Sequence, residues 1–270
     1  MDVNYKHNIT THGSGAATFL FSHGFGCDQN MWRHVAPAFA TAGKVVLFDH
    51  VGAGRAAVEA YDSIKYASLQ GYADDVVEIC DACGLKDVIF VGHSVSATIG
   101  VLAAVARPEL FSQLVLVCPS PRYASTEEYA GGFGEADIDE LLDLMDKNHL
   151  DWSALMAPAL IGAGHGEALE AEWRDSVCRV DPTIAKEFAR ATFKSDHRAE
   201  FGQVQTPSLL IECSDDTLAP PQVGAYLHAT MPTSQRLILE ATGHCPHMSS
   251  PDEVIAAIRN FTIVSLNAAA

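Results

Sequence analysis

The chain has 270 residues, 34 acidic against 17 basic for a formal net charge of −17, and 48% of it is apolar. That length suits one large α/β domain or two small ones. Such a chain buries about three quarters of the surface its unfolded form exposes, so no metal or disulfide staple is needed. The negative balance argues against nucleic acid and anionic membrane, which both require a positive face, and is silent about substrate.

The first stretch, MDVNYKHNITTHGSG, lacks the apolar run of a secretory signal, and no window approaches 18 uninterrupted apolar residues. A cytoplasmic chain without membrane contact is the expectation. Short β-rich runs follow at ATFLFSH (17–23), VVLFDH (45–50), DVIFVGH (87–93), LVLVC (114–118), SLLIEC (208–213) and RLILE (236–240). Helical stretches alternate with them, one ending at Cys83, one from Val95 to Arg107 and one after Pro251. This rhythm predicts a mostly parallel sheet with helices on both faces. It breaks between Pro121 and about Ser195, where only helical patterns occur. Ile138, Leu141, Leu142 and Met145 mark one apolar stripe, and Leu169, Trp173 and Val177 mark another. Asp181-Pro182 starts a further helix, an N-cap aspartate before a proline at the first helical position, leading to Ile184, Phe188 and Ala189. A helical block between two sheet strands reads as a cap over the sheet's carboxyl edge, where open α/β folds bind ligands. The expected division is an α/β core from 1–120 and 196–270 with a cap at 121–195. The closing Asn-Ala-Ala-Ala is expected to fray.

VIFVGHSVSATIG, residues 88–100, reads as a strand, a sharp turn carrying Ser94, and the start of a helix. Hydrolases with an activated serine use such a turn in the pattern G-x-S-x-G, although here Ser96 occupies the last position. A serine that attacks an ester needs a base, an orienting carboxylate and donors for the oxyanion. His244 follows RLILE in ATGHCPH, and Asp215 and Asp216 follow SLLIEC in CSDDTLAP. The order Ser, Asp, His is that of α/β-hydrolases. Asp216, four residues before Pro220, is the expected orienter, and Asp215 is expected to be solvated. The oxyanion donors would be the backbone N–H of Val95, directly after the nucleophile, and that of Phe25 in SHGFGCDQ. Ser96 is expected to bond back to a helix carbonyl and to take no part in chemistry.

Other candidates read as structural. Cys80 and Cys83 form a C-x-x-C at a helix end, away from the N-terminal dipole that activates redox pairs, and both fall with Leu69, Tyr72, Val76 and Ile79 on one apolar face, so both are expected in the buried core. His244 and His247 form an H-x-x-H without a third ligand at helpful spacing, so no metal is expected. Nothing in the chain calls for a cofactor. His23 is expected to brace the oxyanion loop and Asp49 another loop, and Cys245 is not on an elbow. Seven cysteines, an odd number in apolar surroundings, suggest reduced thiols.

With those residues placed, HGFGCDQNMW, FDHVGAG, VGHSVSATIGVLA, SPRY, GGF, FKSDHR and GHCPHMSSPDE resemble the RsbQ group of α/β-hydrolases over nearly the whole chain. That group comprises bacterial sigma-B stress regulators and the plant karrikin and strigolactone receptors. The bacterial side fits better, through RPELFS and DPTIAKEFARATFKSDHR. The resemblance implies a V-shaped cap of four helices and a deep apolar pocket over Ser94, lined by Phe25, Phe133, Leu141, Trp152 and Phe193. It implies slow hydrolysis of a small apolar ester or butenolide-type lactone. It also implies a signalling role with a PAS-domain phosphatase as partner. The alternative is a general carboxylesterase without a signalling partner.

Overall fold

The computed structural model describes residues 1–268, and side chains through Thr262. Seven strands form one sheet in the order β1-β3-β2-β4-β5-β6-β7. They are β1 (Thr10–His12), β2 (Ala17–Ser22), β3 (Gly43–Leu47), β4 (Val88–His93), β5 (Phe111–Val117), β6 (Ser208–Asp215) and β7 (Ser234–Thr242). Only β1 runs antiparallel, against β3; every other pairing is parallel. The α/β-hydrolase fold expected from the sequence is the fold observed. β1 is the one strand the apolar runs do not mark.

Parallel strands are covered on both faces, and alternation along each strand sorts its side chains into two cores. Phe19 and Phe21 of β2, with Ile89 and Val91 of β4, point into one. Leu20, Val88 and Phe90 point into the other. A short first helix, α1 (Val3–Lys6), precedes the sheet. On the Leu20 side lie α2 (Leu69–Ala82) and α3 (Val95–Ala106), which pack on each other through Tyr72, Val76, Ile79, Ile99 and Ala103.

Between β5 and β6 the chain forms α4 (Glu135–Lys147), α5 (His149–Ile161), α6 (Glu167–Cys178) and α7 (Pro182–Phe193). Three of these follow from the sequence stripes, and Asp181 caps α7 by accepting from the Thr183 and Ile184 N–H groups. α5 carries Pro158 inside it and has apolar residues all round, so it shows no stripe. Ile138, Trp152, Trp173 and Val177 from this block join the Phe21 core. The chain continues through α8 (Arg198–Phe201), α9 (Pro221–Thr230), α10 (Pro246–Ser249) and α11 (Pro251–Ala268). Of the final four residues expected to fray, Asn267 and Ala268 belong to the α11 backbone, and Ala269 and Ala270 lie outside the described residues.

All seven cysteines are unpaired, with Cys178 exposed and Cys83 half-buried. Cys80 sits in the α2 face of the core, and burial foremost, with Asp81 beside it, pushes its thiol up to about 12. Among the described residues no helix is long and apolar enough to cross a membrane.

Candidate active site

The sheet changes direction of growth beside β2, which pairs with β3 on one side and β4 on the other. Crevices at such a switch point, outside the carboxyl ends of the strands, are where open α/β sheets hold ligands. The register Phe21↔Val91 and Ser22↔Gly92 sets the two strand ends level. It therefore brings the HGFG loop after β2 next to the HS turn after β4.

Ser94 leaves β4 at φ 56, ψ −120, outside the regions an L residue prefers, and its N–H donates to the Val117 carbonyl at 2.8 Å. Such a conformation costs on the order of 1–3 kcal/mol and persists because packing on every side dictates it. It presents the Ser94 hydroxyl, which donates to His244 Nε2 at 2.7 Å. His244 Nδ1–H donates to Asp216 Oδ2 at 2.7 Å. The second carboxylate oxygen, Oδ1, accepts from the Leu218 and Ala219 N–H groups at 2.9 and 3.1 Å. All three side chains are buried. Burial works to raise the Asp216 carboxyl, but the His244 charge, its hydrogen bond and the two backbone donors outweigh it and hold the group below the usual carboxylate range. Asp215, one residue earlier, is exposed.

Val95 is the first residue of α3, so its N–H has no partner within the helix. Across the crevice, Gly26 adopts φ 72 and turns the loop, placing Phe25 at the cavity. His23 braces this loop as anticipated: its Nδ1–H donates to the Gly24 carbonyl at 2.9 Å, and its Nε2 accepts from the His50 N–H at 3.1 Å. Asp49 ties several segments together, accepting from the Asn8 side chain and from the N–H groups of Gln29, at the end of SHGFGCDQ, and Arg55.

His93 underpins His244. Its Nε2–H donates to the His244 carbonyl at 2.7 Å, and burial foremost, then the neighbouring His244, lowers its imidazole to about 3. Gly24 is required here, because a Cβ would stand 2.3 Å from His93 Nδ1. Gly24→Ala should therefore displace either the HGFG loop or the ring that steadies His244. The expected result is a loss of about 1–3 kcal/mol of stability together with a fall in kcat, read by thermal melts and ester kinetics.

His93, Cys245 and His247 bring possible ligand atoms within 4.8 Å of one another. They do not make a metal site, since His93 Nε2 is committed to a carbonyl and its Nδ1 lone pair abuts Gly24. His244 has both ring nitrogens engaged in the Ser94–Asp216 row, so the H-x-x-H is not chelating either. The Cys245 thiol is pushed well above its ordinary value, by burial foremost, and stays protonated.

Above Ser94 lies an enclosed space of about 20 Å³ lined by Phe25, Tyr123, Met156, Trp173, Phe193 and Leu218, among others. It is narrow, with room for about one water molecule, where the resemblance implied a deep pocket; α5, α6 and α7 all supply side chains to its wall. Phe25 and Phe193 are on its wall as expected. Trp152, Phe133 and Leu141 are not. Trp152 packs edge-on against Phe25 and beside Trp173, one layer back. Leu141 is on α4, which packs on α5 and α7 rather than over the elbow. Phe133 is half-buried in the loop after β5, bridging Ala124. Sequence reasoning missed Tyr123, whose hydroxyl is 3.3 Å from Ser94 Oγ and whose ring packs edge-on against Phe193. Its position just beyond the carboxyl end of β5 was the available signal. Met156 and Leu160 gave none, because α5 shows no stripe, and Trp173 gave none, because core and cavity residues of α6 share one apolar face.

The family description "Alpha/beta hydrolase family" matches residues 19–257. The chain is 38% identical to the Karrikin insensitive 2 receptor CA of Petunia hybrida over 257 residues, 95% of each protein. It is 35% identical to the Strigolactone esterase D14 of Arabidopsis thaliana over 253 residues, covering 93% of this chain and 94% of that one. Among solved structures, a hydrolase from Oleispira antarctica superposes with a TM-score of 0.94 at 41% identity over 96% of both chains.

Proposed function

The chain belongs to the α/β-hydrolase family, and from that premise we propose that it is a serine hydrolase acting slowly on a small apolar ester or lactone of the butenolide type. The observation that carries the reading is the continuous row from the Ser94 hydroxyl through His244 to Asp216, each link 2.7 Å long. In the proposed reaction Ser94 Oγ attacks the carbonyl carbon while its proton passes to His244 Nε2. The negative oxygen is received by the N–H groups of Phe25 and Val95. Collapse transfers the proton to the departing oxygen and leaves an acyl group on Ser94; for a lactone, the ring opens and the alcohol stays attached to that group. His244 then activates a water molecule that releases the acid.

The wall of the cavity favours a neutral, apolar substrate, since its side chains beyond the row itself are almost all hydrocarbon or aromatic. Its small volume means that a substrate displaces side chains of α5 to α7 on entry, a gating step that suits slow turnover. The proposal extends to a regulatory role of the RsbQ kind, with the helical block as the cap and a PAS-domain phosphatase as partner; a relative named as a receptor supports the regulatory part of this.

Mixing the protein with p-nitrophenyl acetate should give a burst of p-nitrophenol equal to the enzyme present, then a slow steady rate, with an acetyl group on Ser94 by peptide mass. Neither burst nor adduct would overturn the reading. A butenolide should raise the melting temperature by mass action and alter capture of a PAS-domain phosphatase. Fast turnover of many esters without either response would point to a general carboxylesterase instead.

A further inference from the structure

Ser96 stands where the elbow pattern has glycine, and its hydroxyl does not turn back onto its own helix as expected. It leaves α3 and donates to the His23 carbonyl at 2.5 Å. It accepts from the Ser22 hydroxyl at 2.8 Å. Because the single Ser96 proton is committed to that carbonyl, the His50 Nε2 at 2.9 Å must be the donor in the third contact. The circuit then closes on itself. The His50 N–H donates to His23 Nε2, and His23 Nδ1–H donates to the Gly24 carbonyl. Ser22, His23, His50 and Ser96 are all buried, so water does not compete for these bonds.

The two carbonyls held in this way belong to successive peptide groups of the oxyanion loop. The His23 carbonyl is pinned by Ser96. The Gly24 carbonyl is pinned by the His23 ring, and it shares one planar peptide with the Phe25 N–H. Fixing that carbonyl fixes where the Phe25 N–H points.

We propose that Ser96 is a positioning residue for the oxyanion hole. It ties the elbow, which carries Ser94 and the Val95 N–H, to the loop that carries the Phe25 N–H, so that both donors sit in one rigid frame. The proposal rests on the serine-hydrolase reading above. The glycine of the common pattern leaves this tie unmade; the serine of this chain supplies it.

The test compares Ser96→Ala and Ser96→Gly with the wild type on p-nitrophenyl acetate, and measures the affinity of phenylboronic acid, whose tetrahedral adduct on Ser94 places an oxygen in the hole. Losing one donor outright costs about 10²–10³ in rate, so loosening one should lower kcat about 10- to 100-fold with KM within about twofold. Boronate affinity should fall by the same factor, a change that a purely structural role would not produce. Ser112→Ala, on β5 outside this circuit, removes a comparable hydroxyl-to-carbonyl bond, the one to Asp87, and should keep kcat within about threefold of wild type. Ser96→Cys exchanges the hydroxyl for a bulkier, weak thiol donor that cannot approach the carbonyl as closely, and reports the same loss if the smaller variants do not fold. Folded Ser96 variants with wild-type kcat and boronate affinity overturn the proposal alone. A wild type that neither turns over ester nor binds boronate overturns the hydrolase reading, and this proposal with it.

Discussion

Replacing Ser94 with alanine should lower kcat on p-nitrophenyl acetate by about 10⁴- to 10⁶-fold, leaving only what the oxyanion donors and binding supply. The fold should survive, because alanine keeps the backbone at φ 56 without adding strain. Glycine at the same position should be equally inactive yet more stable by up to about 1 kcal/mol, since it occupies that region freely. Asp216→Asn probes a different link. Its side-chain oxygen can still accept from the Leu218 and Ala219 N–H groups, which turns the amide NH2 toward His244 Nδ1. The imidazole must then carry its proton on Nε2, facing Ser94, where it can no longer accept one. A loss of about 10⁴ in kcat is expected. Combining this change with Ser94→Ala should add almost nothing, because the three groups act as one unit. A Ser94→Ala protein that turns over at the wild-type rate would remove the nucleophile from the account.

The strands of the sheet are legible because a parallel sheet buries both faces and so writes each strand as an uninterrupted apolar run. β1 escapes for the same reason inverted. It is three residues of Thr-Thr-His at the sheet's edge, recruited by pairing with β3, and nothing in its composition announces that. α5 escapes because Leu150 and Leu155 face solvent while Trp152, Met156 and Leu160 face inward, which erases the period a stripe requires. Ser94, Asp216 and His244 are each readable from a loop after a strand end, since chemistry there depends on chain position more than on packing. The cavity wall is not. Whether Trp152 or Trp173 reaches Ser94 depends on which helix stacks on which, a tertiary fact with no local signature. Ser96 marks a further limit: a departure from a pattern shows in the sequence, but its partner, the His23 carbonyl, lies 73 residues away.

The protein should lose stability steeply as the solution is acidified below about pH 6.5. Burial foremost holds the His50, His93 and His247 imidazoles well below their ordinary value; for His50 the neighbouring His23 adds to this, for His93 it is His244, and for His247 it is His93. Their folded values lie under the unfolded one of about 6.5. The unfolded chain therefore binds more protons throughout that interval, and folding weakens as pH falls. For His93 the interval runs down to about 3. One such group contributes about 1.4 kcal/mol per pH unit within its interval, and His50 and His247 add to the His93 slope in the same direction. Against a total stability of about 5–15 kcal/mol, the His93 loss alone is a large fraction, and the melting temperature should fall continuously from about pH 6.5 downward. Asp216 works in the same direction, since its lowered carboxyl stabilises the fold only while ionised and this is lost as pH falls through its folded value. His247 isolates the effect. Neither of its ring nitrogens has a hydrogen-bond partner among the described residues, and its ring packs against Trp32. His247→Leu should be close to neutral at pH 7.5 and should reduce the pH slope of stability by about one proton. Melts followed by circular dichroism from pH 8 to pH 4 supply the slope, and equal slopes for the two proteins would mean that this histidine is not buried neutral.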